Sequence, residues 1–490
     1  MISGVENDSL DPSKGLWRSQ FILGRNLADL ECLGLTSSRI GDWTLWSSPE
    51  FMVTRAGAVT VLGLAAAVSG ESLADHYSSI TAESHHEDVV ELTLDVAGRF
   101  VVFATLTSGA MLIPDGVGGK ATFLSADGAI ASSSEMLLKK SGATARARTA
   151  IERRLETNPA LVTREYATYG LHSPISGFGR LLPNRVANLD TGESLLCSPA
   201  TVKRETSVPD AARNLRKNVS ALATLGPFEL GLTAGFDSRL VLAALDAEGI
   251  DVETYTFTDG GAEKANDAQV AGQVAQALGY RHEAVPEPET DPNVLEALRL
   301  TQPMVRKLPK VFSHLTWLSQ RPEKRITISG AAAEIYRSHF GLVPPGIGRE
   351  ATRRTVLRLD PDPHDLQGFD QWWDDRFRPG SADSHIPATT LFYWEQQMAI
   401  WGTLFLSEKD LFVDELSAFG SGRLQQQLTS FPQFQRTTLR SQLNIDLIEE
   451  LSPRMAQLER PHGAPSLRQR VNYATPIIRV ARNLRPGWGS

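Results

Sequence analysis

Between residues 211 and 329 short apolar runs alternate with helical ones, and this pattern restricts the possible fold more than any other feature of the sequence. Residues 211–223 carry helical spacing, and 228–232 form a short apolar run of strand type. An apolar helix over 239–247 closes at Gly249, which suits the left-handed C-terminal cap that many helices require. A second strand run follows at 252–257, a second helix at 266–278 ending at Gly279, and a third strand run at 325–329. Alternation of this kind predicts a parallel sheet covered by helices. From about residue 385 onward the pattern is mainly helical.

The preceding part of the chain reads differently. Residues 58–68, 89–94, 99–105 and 111–113 are apolar or alternating runs bounded by Gly, Asp and Ser, and read as short strands. A polar stretch at 197–210, with Pro199 and Pro209, separates the two regions. At roughly 100–200 residues per domain, a chain of 490 residues has room for two or three. The expected organisation is a β-rich domain over 1–200 and a second over 205–490. In fold class this is α/β and α+β: an antiparallel N-terminal domain, then a parallel-sheet domain with a helical C-terminal part.

Charge and cysteine content exclude several functions. With 49 Lys+Arg against 57 Asp+Glu, the net charge of −8 argues against a nucleic-acid partner. Two cysteines, Cys32 and Cys197, are too few for a disulfide scaffold or a Cys-rich zinc module and suit a reducing cytoplasm. The longest nearly apolar run, 58–68, is too short to span a bilayer and contains Thr60 and Gly63. The N-terminus shows neither a basic n-region nor a hydrophobic h-region. A soluble cytoplasmic protein without a membrane partner is expected.

Two motifs look functional and are read as structural. The run Gly116-Val117-Gly118-Gly119-Lys120 lacks the leading glycine of a phosphate loop, and Ala121 stands where such a loop needs Ser or Thr, so a strand-connecting turn is expected. His85, His86 and Glu87 are adjacent in sequence, a poor arrangement for converging on one metal ion.

The segment with chemical potential runs from Leu230 to Arg239, where a strand passes through small residues into a helix. Small side chains let a ligand approach the backbone, and the free N–H groups and dipole of a helix start favour an anion. Ser238 adds a hydroxyl. Asp237 would repel phosphate unless magnesium lay between them, so the pairing predicts a metal-bound nucleotide.

Thr233-Ala234-Gly235-Phe236-Asp237-Ser238 resembles the Ser-Gly-Gly-x-Asp-Ser loop of the asparagine synthetase-like ATP pyrophosphatase superfamily. Four more segments follow in the same order. Tyr255-Thr256-Phe257-Thr258, with a later helix ending Leu278-Gly279-Tyr280-Arg281-His282, is similar to the adenine-side strand and its leucine-glycine-histidine sequel; His282 is read as structural. Ser329-Gly330-Ala331-Ala332-Ala333-Glu334 resembles the second nucleotide loop, with Ala332 and Ala333 at positions usually glycine. If those positions need positive φ, alanine costs about 1 kcal/mol or more. Asp414 stands where the family's Val-Glu-Ala-Arg-x-Pro-Phe segment has its glutamate, and His462 where a C-terminal Arg-Pro-Lys-x-Gly segment has its lysine. The strand-rich part resembles the family's glutaminase-type (Ntn) domain through Gly98-Arg99-Phe100, the Asp115–Gly118 turn and residues 179–184. Glutaminase chemistry needs an N-terminal cysteine, but position 2 is Ile2.

The resemblance implies an AMP- and pyrophosphate-forming ligase that uses ATP and Mg2+ but does not hydrolyse glutamine. A substrate carboxylate would be activated as an acyl adenylate and attacked by an amine. Its nucleotide contacts would come from Leu232, Thr233, Ala234, Gly235, Asp237, Ser238, Phe257, Thr258 and Gly330. Asp237 and Glu334 would hold the metal, while Asp414 and His462 would act in catalysis. Implied partners are small-molecule or peptide carboxylates and amines, together with a second copy of the chain or a pathway protein. Two other readings remain open: a lasso-type peptide macrocyclase, and an inactive relative that binds a nucleotide or a partner.

Overall fold

The computed structural model describes residues 15–157, 168–197, 206–258, 262–304, 309–321, 325–343, 346–357, 361–377, 386–437 and 442–458. Twelve described strands precede residue 200: β1 (Phe21–Gly24), β2 (Thr36–Ile40), β3 (Trp43–Ser47), β4 (Val53–Ala56), β5 (Val59–Ala67), β6 (Val96–Leu106), β7 (Gly109–Pro114), β8 (Phe123–Leu124), β9 (Ile130–Ser132), β10 (Gly179–Arg180), β11 (Arg185–Asn188) and β12 (Ser194–Leu196). They build two six-stranded antiparallel sheets, in the orders β10-β8-β9-β1-β3-β2 and β12-β11-β7-β6-β5-β4.

The sheets stack because their strands alternate with period two, which sends successive side chains to opposite faces. On β6, Val101 and Phe103 meet Phe21, Leu23, Trp43 and Leu45 of the other sheet in a shared core. Phe100, Val102 and Ala104 of the same strand face the opposite way and pack with Tyr77 and Val89, beneath the helices Leu73–His76 and His86–Thr93. The outer face of the first sheet buries Ile22 and Trp46 under Leu137 and Leu138 of the helix Glu135–Lys140. The layers therefore run helix, sheet, sheet, helix.

One expected strand is a helix. Residues 89–94 lie mostly within His86–Thr93, whose Val89 and Thr93 are buried one turn apart and joined by a Thr93 Oγ1 bond to the Val89 carbonyl. Asp88 accepts the His85 N–H at 3.1 Å and starts the helix. Val89 and Val90 suggested a strand, but this local bond and burial on one face prevail.

The second half forms a five-stranded, wholly parallel sheet from β13 (Phe228–Gly231), β14 (Glu253–Thr258), β15 (His282–Pro286), β16 (Ile326–Ser329) and β17 (Asp414–Ser417). Its order is β15-β14-β13-β16-β17. The helices Val208–Ala223, Phe236–Ala247 and Gln442–Leu451 contribute Leu215, Val219, Leu240, Leu245 and Leu447 to one core with Leu230, Ile328 and Leu416. Among the described residues, no helix is long and apolar enough to cross a membrane.

A buried polar seam joins the halves. Asp410 receives Arg99 at 2.7 Å, Lys120 at 3.2 Å and the amide of Gln20 at 3.0 Å. The 116–120 run is part of this seam, as a turn. The Asp115 carboxylate accepts the N–H groups of Val117, Gly119 and Lys120, while Trp394 and Thr403 donate to the carbonyls of Gly116 and Gly118. A Cβ at Gly116 would come within 2.2 Å of the Gly422 nitrogen, so the turn has to be glycine for the halves to close.

Candidate functional site

Strand order locates the site. The chain builds outward from β13 through β14 to β15, then returns to lay β16 and β17 on the other side of β13. In open parallel sheets, the loops diverge where the order reverses and leave a crevice at the carboxyl ends of the strands. Here those ends belong to β13 and β16, aligned with Leu230 opposite Ile328. Their loops are the two singled out in the sequence, residues 232–238 and 330–334.

The two loops touch. A Cβ on Gly330 would stand 2.8 Å from the Asp237 Cβ and 3.1 Å from the Ser238 nitrogen, so glycine is needed for this approach. Asp237 sits in the first turn of Phe236–Ala247, and Glu334 in the short helix Ala333–Tyr336. Both acids face one guanidinium: Arg337 Nη2 lies 2.9 Å from Asp237 Oδ2 and 3.7 Å from Glu334 Oε1. The other Asp237 oxygen, Oδ1, is shut off from solvent and has no hydrogen-bond partner. Burial pushes the Asp237 carboxyl up to about 7, with Arg337 opposing the rise and Glu334 adding to it.

The amides that the sequence assigned to an anion are already in use. Thr233 N–H donates to Ser238 Oγ at 3.0 Å, and Gly235 N–H to Thr233 Oγ1 at 3.1 Å. Ala234 N–H donates to the Asp267 carboxylate. Leu232 is wholly buried in the core, and its N–H pairs with the Tyr255 carbonyl at 2.9 Å. Thr233, Ala234, Gly235 and Ser238 are thus joined by hydrogen bonds that brace the loop. No side chain caps the helix that starts after Gly235.

The second loop shows the cost foreseen for its alanines at one position only. Ala332 has φ +67° and is fully buried, whereas Ala333 is the first helical residue. The left-handed region forces Cβ against the backbone, so Ala332→Gly is expected to stabilise the fold by up to about 1 kcal/mol. Urea unfolding measures this; an unchanged or lower midpoint would refute the strain.

Phe257 and Thr258 end β14 beside the first loop. Thr258 Oγ1 donates to the Val285 carbonyl at 3.2 Å. The Phe257 ring lies 4.3 Å from His314 and 5.2 Å from Trp317, in an aromatic cluster that includes Tyr255. Burial, with a smaller contribution from Lys409, holds the His314 imidazole well below its usual range. The folded chain thus refuses a proton that the unfolded chain accepts, and stability falls as pH drops through the unfolded value of about 6.5. His314→Phe should lose less of its melting temperature between pH 7.5 and 5.5 than the parent protein, and equal losses would contradict the assignment.

The remaining expected site residues lie elsewhere. Asp414 opens β17 opposite Ile326, whereas the loop side of that strand is Ser417, opposite Ser329. Three residues of extended chain span about 10 Å, so the structure does not bring Asp414 to the two loops. Burial opposes its charge, yet Arg18 at 2.6 Å and Ser19 at 2.6 Å keep its carboxyl below the ordinary value. His462 lies outside the described residues, so its expected catalytic role has no structural counterpart here. His282 bonds Thr254 Oγ1 at 2.8 Å and is structural in position.

Among the described residues, no set of three or more His, Cys, Asp or Glu side chains gathers as metal ligands. Asp237 and Glu334 still suit a hard cation: both converge on a positive group, and one shielded oxygen is unpartnered. No protein-family model matches the chain, and no curated protein matches it. Sequence reasoning gave Arg337 no part in the site, and it belongs to none of the motifs; Asp267 lies in the helix of the second matching segment but was given no role.

Proposed function

We propose that this chain is an ATP-dependent, AMP- and pyrophosphate-forming carbon–nitrogen ligase that activates a substrate carboxylate for attack by an amine. The observation that carries the reading is the meeting of two loops at the sheet's switch point, where Asp237 and Glu334 face the same guanidinium across Gly330. Two carboxylates beside an uncapped helix start suit a polyphosphate that arrives with a divalent cation.

Asp237 and Glu334 would hold magnesium, which when bound neutralises charge on the phosphates. The first-turn amides of Phe236–Ala247 receive the leaving pyrophosphate, and Gly330 keeps the loops close enough for both to act on one ligand. Phe257 offers its half-buried ring as a platform for the base. The helix–sheet–sheet–helix layering of the first half supports reading it as a glutaminase-like domain of the Ntn type. Both cysteines are free, in keeping with a cytoplasmic setting.

Pyrophosphate and AMP release, measured with MgATP over a panel of amino acids, amines and peptides, tests the reading. Release of both products with one carboxylate–amine pair supports it, and a strict need for a peptide would turn it toward a macrocyclase. No release or nucleotide binding under any condition would overturn it in favour of a partner-binding protein.

A further inference from the structure

We propose that Arg337 is the phosphate-binding cation of this site and that it competes with a divalent cation for the two carboxylates it pairs with here. This rests on the ligase reading and adds to it a residue and an order of events. Arg337 follows the second loop by one short helix, and its side chain reaches back across Glu334 to Asp237 on the first loop. The arrangement is only part-satisfied: Asp237 Oδ1 and Arg337 Nε are both shielded from water without a hydrogen-bond partner. A guanidinium in its final role spends its donors in pairs on one planar acceptor. Here one nitrogen serves two acids, at 2.9 and 3.7 Å, and Nε is idle.

Two consequences follow from charge. Asp237 and Glu334 cannot hold a divalent cation and Arg337 in the same place, so metal and guanidinium compete for them. Once displaced, Arg337 still lies at the mouth of the first loop, where a triphosphate brings several negative charges. Its freed donors then have phosphate oxygens to bind, and the nucleotide helps the cation to win the exchange. The phenols of Tyr336 and Tyr393 feel the same three charges.

Arg337→Met, which keeps length and removes charge, tests this through two readouts of opposite sign. Mn2+ binding without nucleotide, followed by electron paramagnetic resonance, should tighten at least about tenfold, because the competitor is gone. Binding of MgATP by calorimetry should weaken by at least a similar factor, with Arg337→Lys recovering part of it. A misfolded variant would weaken both, as would a purely structural arginine, and either result overturns the proposal. Unchanged Mn2+ affinity overturns it too. If the parent protein binds Mn2+ but no nucleotide at all, the ligase reading falls and takes the phosphate role of Arg337 with it.

Discussion

On the ligase reading, Asp237→Asn is expected to lower pyrophosphate release by at least about two to three orders of magnitude, the loss typical when one preorganised electrostatic contact is removed from a reacting centre. The substitution keeps the shape of the side chain and removes the charge that would hold the metal against the first loop. Its contacts identify it as the hinge of the site: it pairs with Arg337 at 2.9 Å and lies against Gly330. A loss of activity could also come from loss of fold, and the proton balance at Asp237 separates the two. The folded carboxyl titrates at about 7 and the unfolded one near 3.9, so the folded chain binds the extra proton between these values. Its contribution to stability is fully present below about pH 4 and disappears as pH rises through 7. At pH 8 the parent therefore bears an unfavourable charge that the asparagine variant lacks. The variant should melt no lower than the parent at pH 8, and the difference should narrow or reverse toward pH 4. Activity within twofold of the parent would remove Asp237 from the chemistry, and a sharp fall in melting temperature at pH 8 would make it a structural residue.

Asp410→Ala is expected to cost about 3–5 kcal/mol of stability, because it leaves buried cations unpaired. Arg99 and Lys120, with side chains only 6 and 4% exposed, both end on Asp410. Burial, with a smaller contribution from Arg99, pulls the Lys120 ammonium below its usual range, and Asp410 is the strongest influence opposing this. Gln20 and the backbone carbonyl of Asp410, which accepts Arg18 at 3.2 Å, complete the seam. Asp115 and Asp414 remain nearby to offset part of the positive charge, so complete unfolding is not expected. Guanidinium denaturation should show the midpoint shift, and Asp410→Asn should lose less because it keeps an acceptor. A change below about 1 kcal/mol for the alanine variant would mean that the seam is solvated.

Legibility divides by range. Helices and strands around the first loop could be read because period and capping act within a few residues. The run at 228–232 became β13, 239–247 fell inside Phe236–Ala247, and Gly249 and Gly279 have positive φ as helix-ending residues. Residues 89–94 show the limit of that method, since β-branched residues fit either state until one face is buried. Asp414 marks a second limit. The motif match placed it beside the loops, but the side of the sheet it occupies depends on its register with β16, where it pairs with Ile326.

A strand running into a helix through small residues, with an acid in the first turn, follows from neighbouring residues alone. Packing decided which charges meet there. Asp237 and Arg337 are far apart in the chain and become partners only because the reversal of strand order sets β16 beside β13. The same packing turned Thr233, Ser238 and Asp267 inward onto amides that local pattern had assigned to a ligand. Hydrogen bonds and ion pairs go to whichever partner the fold brings within about 3 Å, and a linear pattern carries no record of that distance.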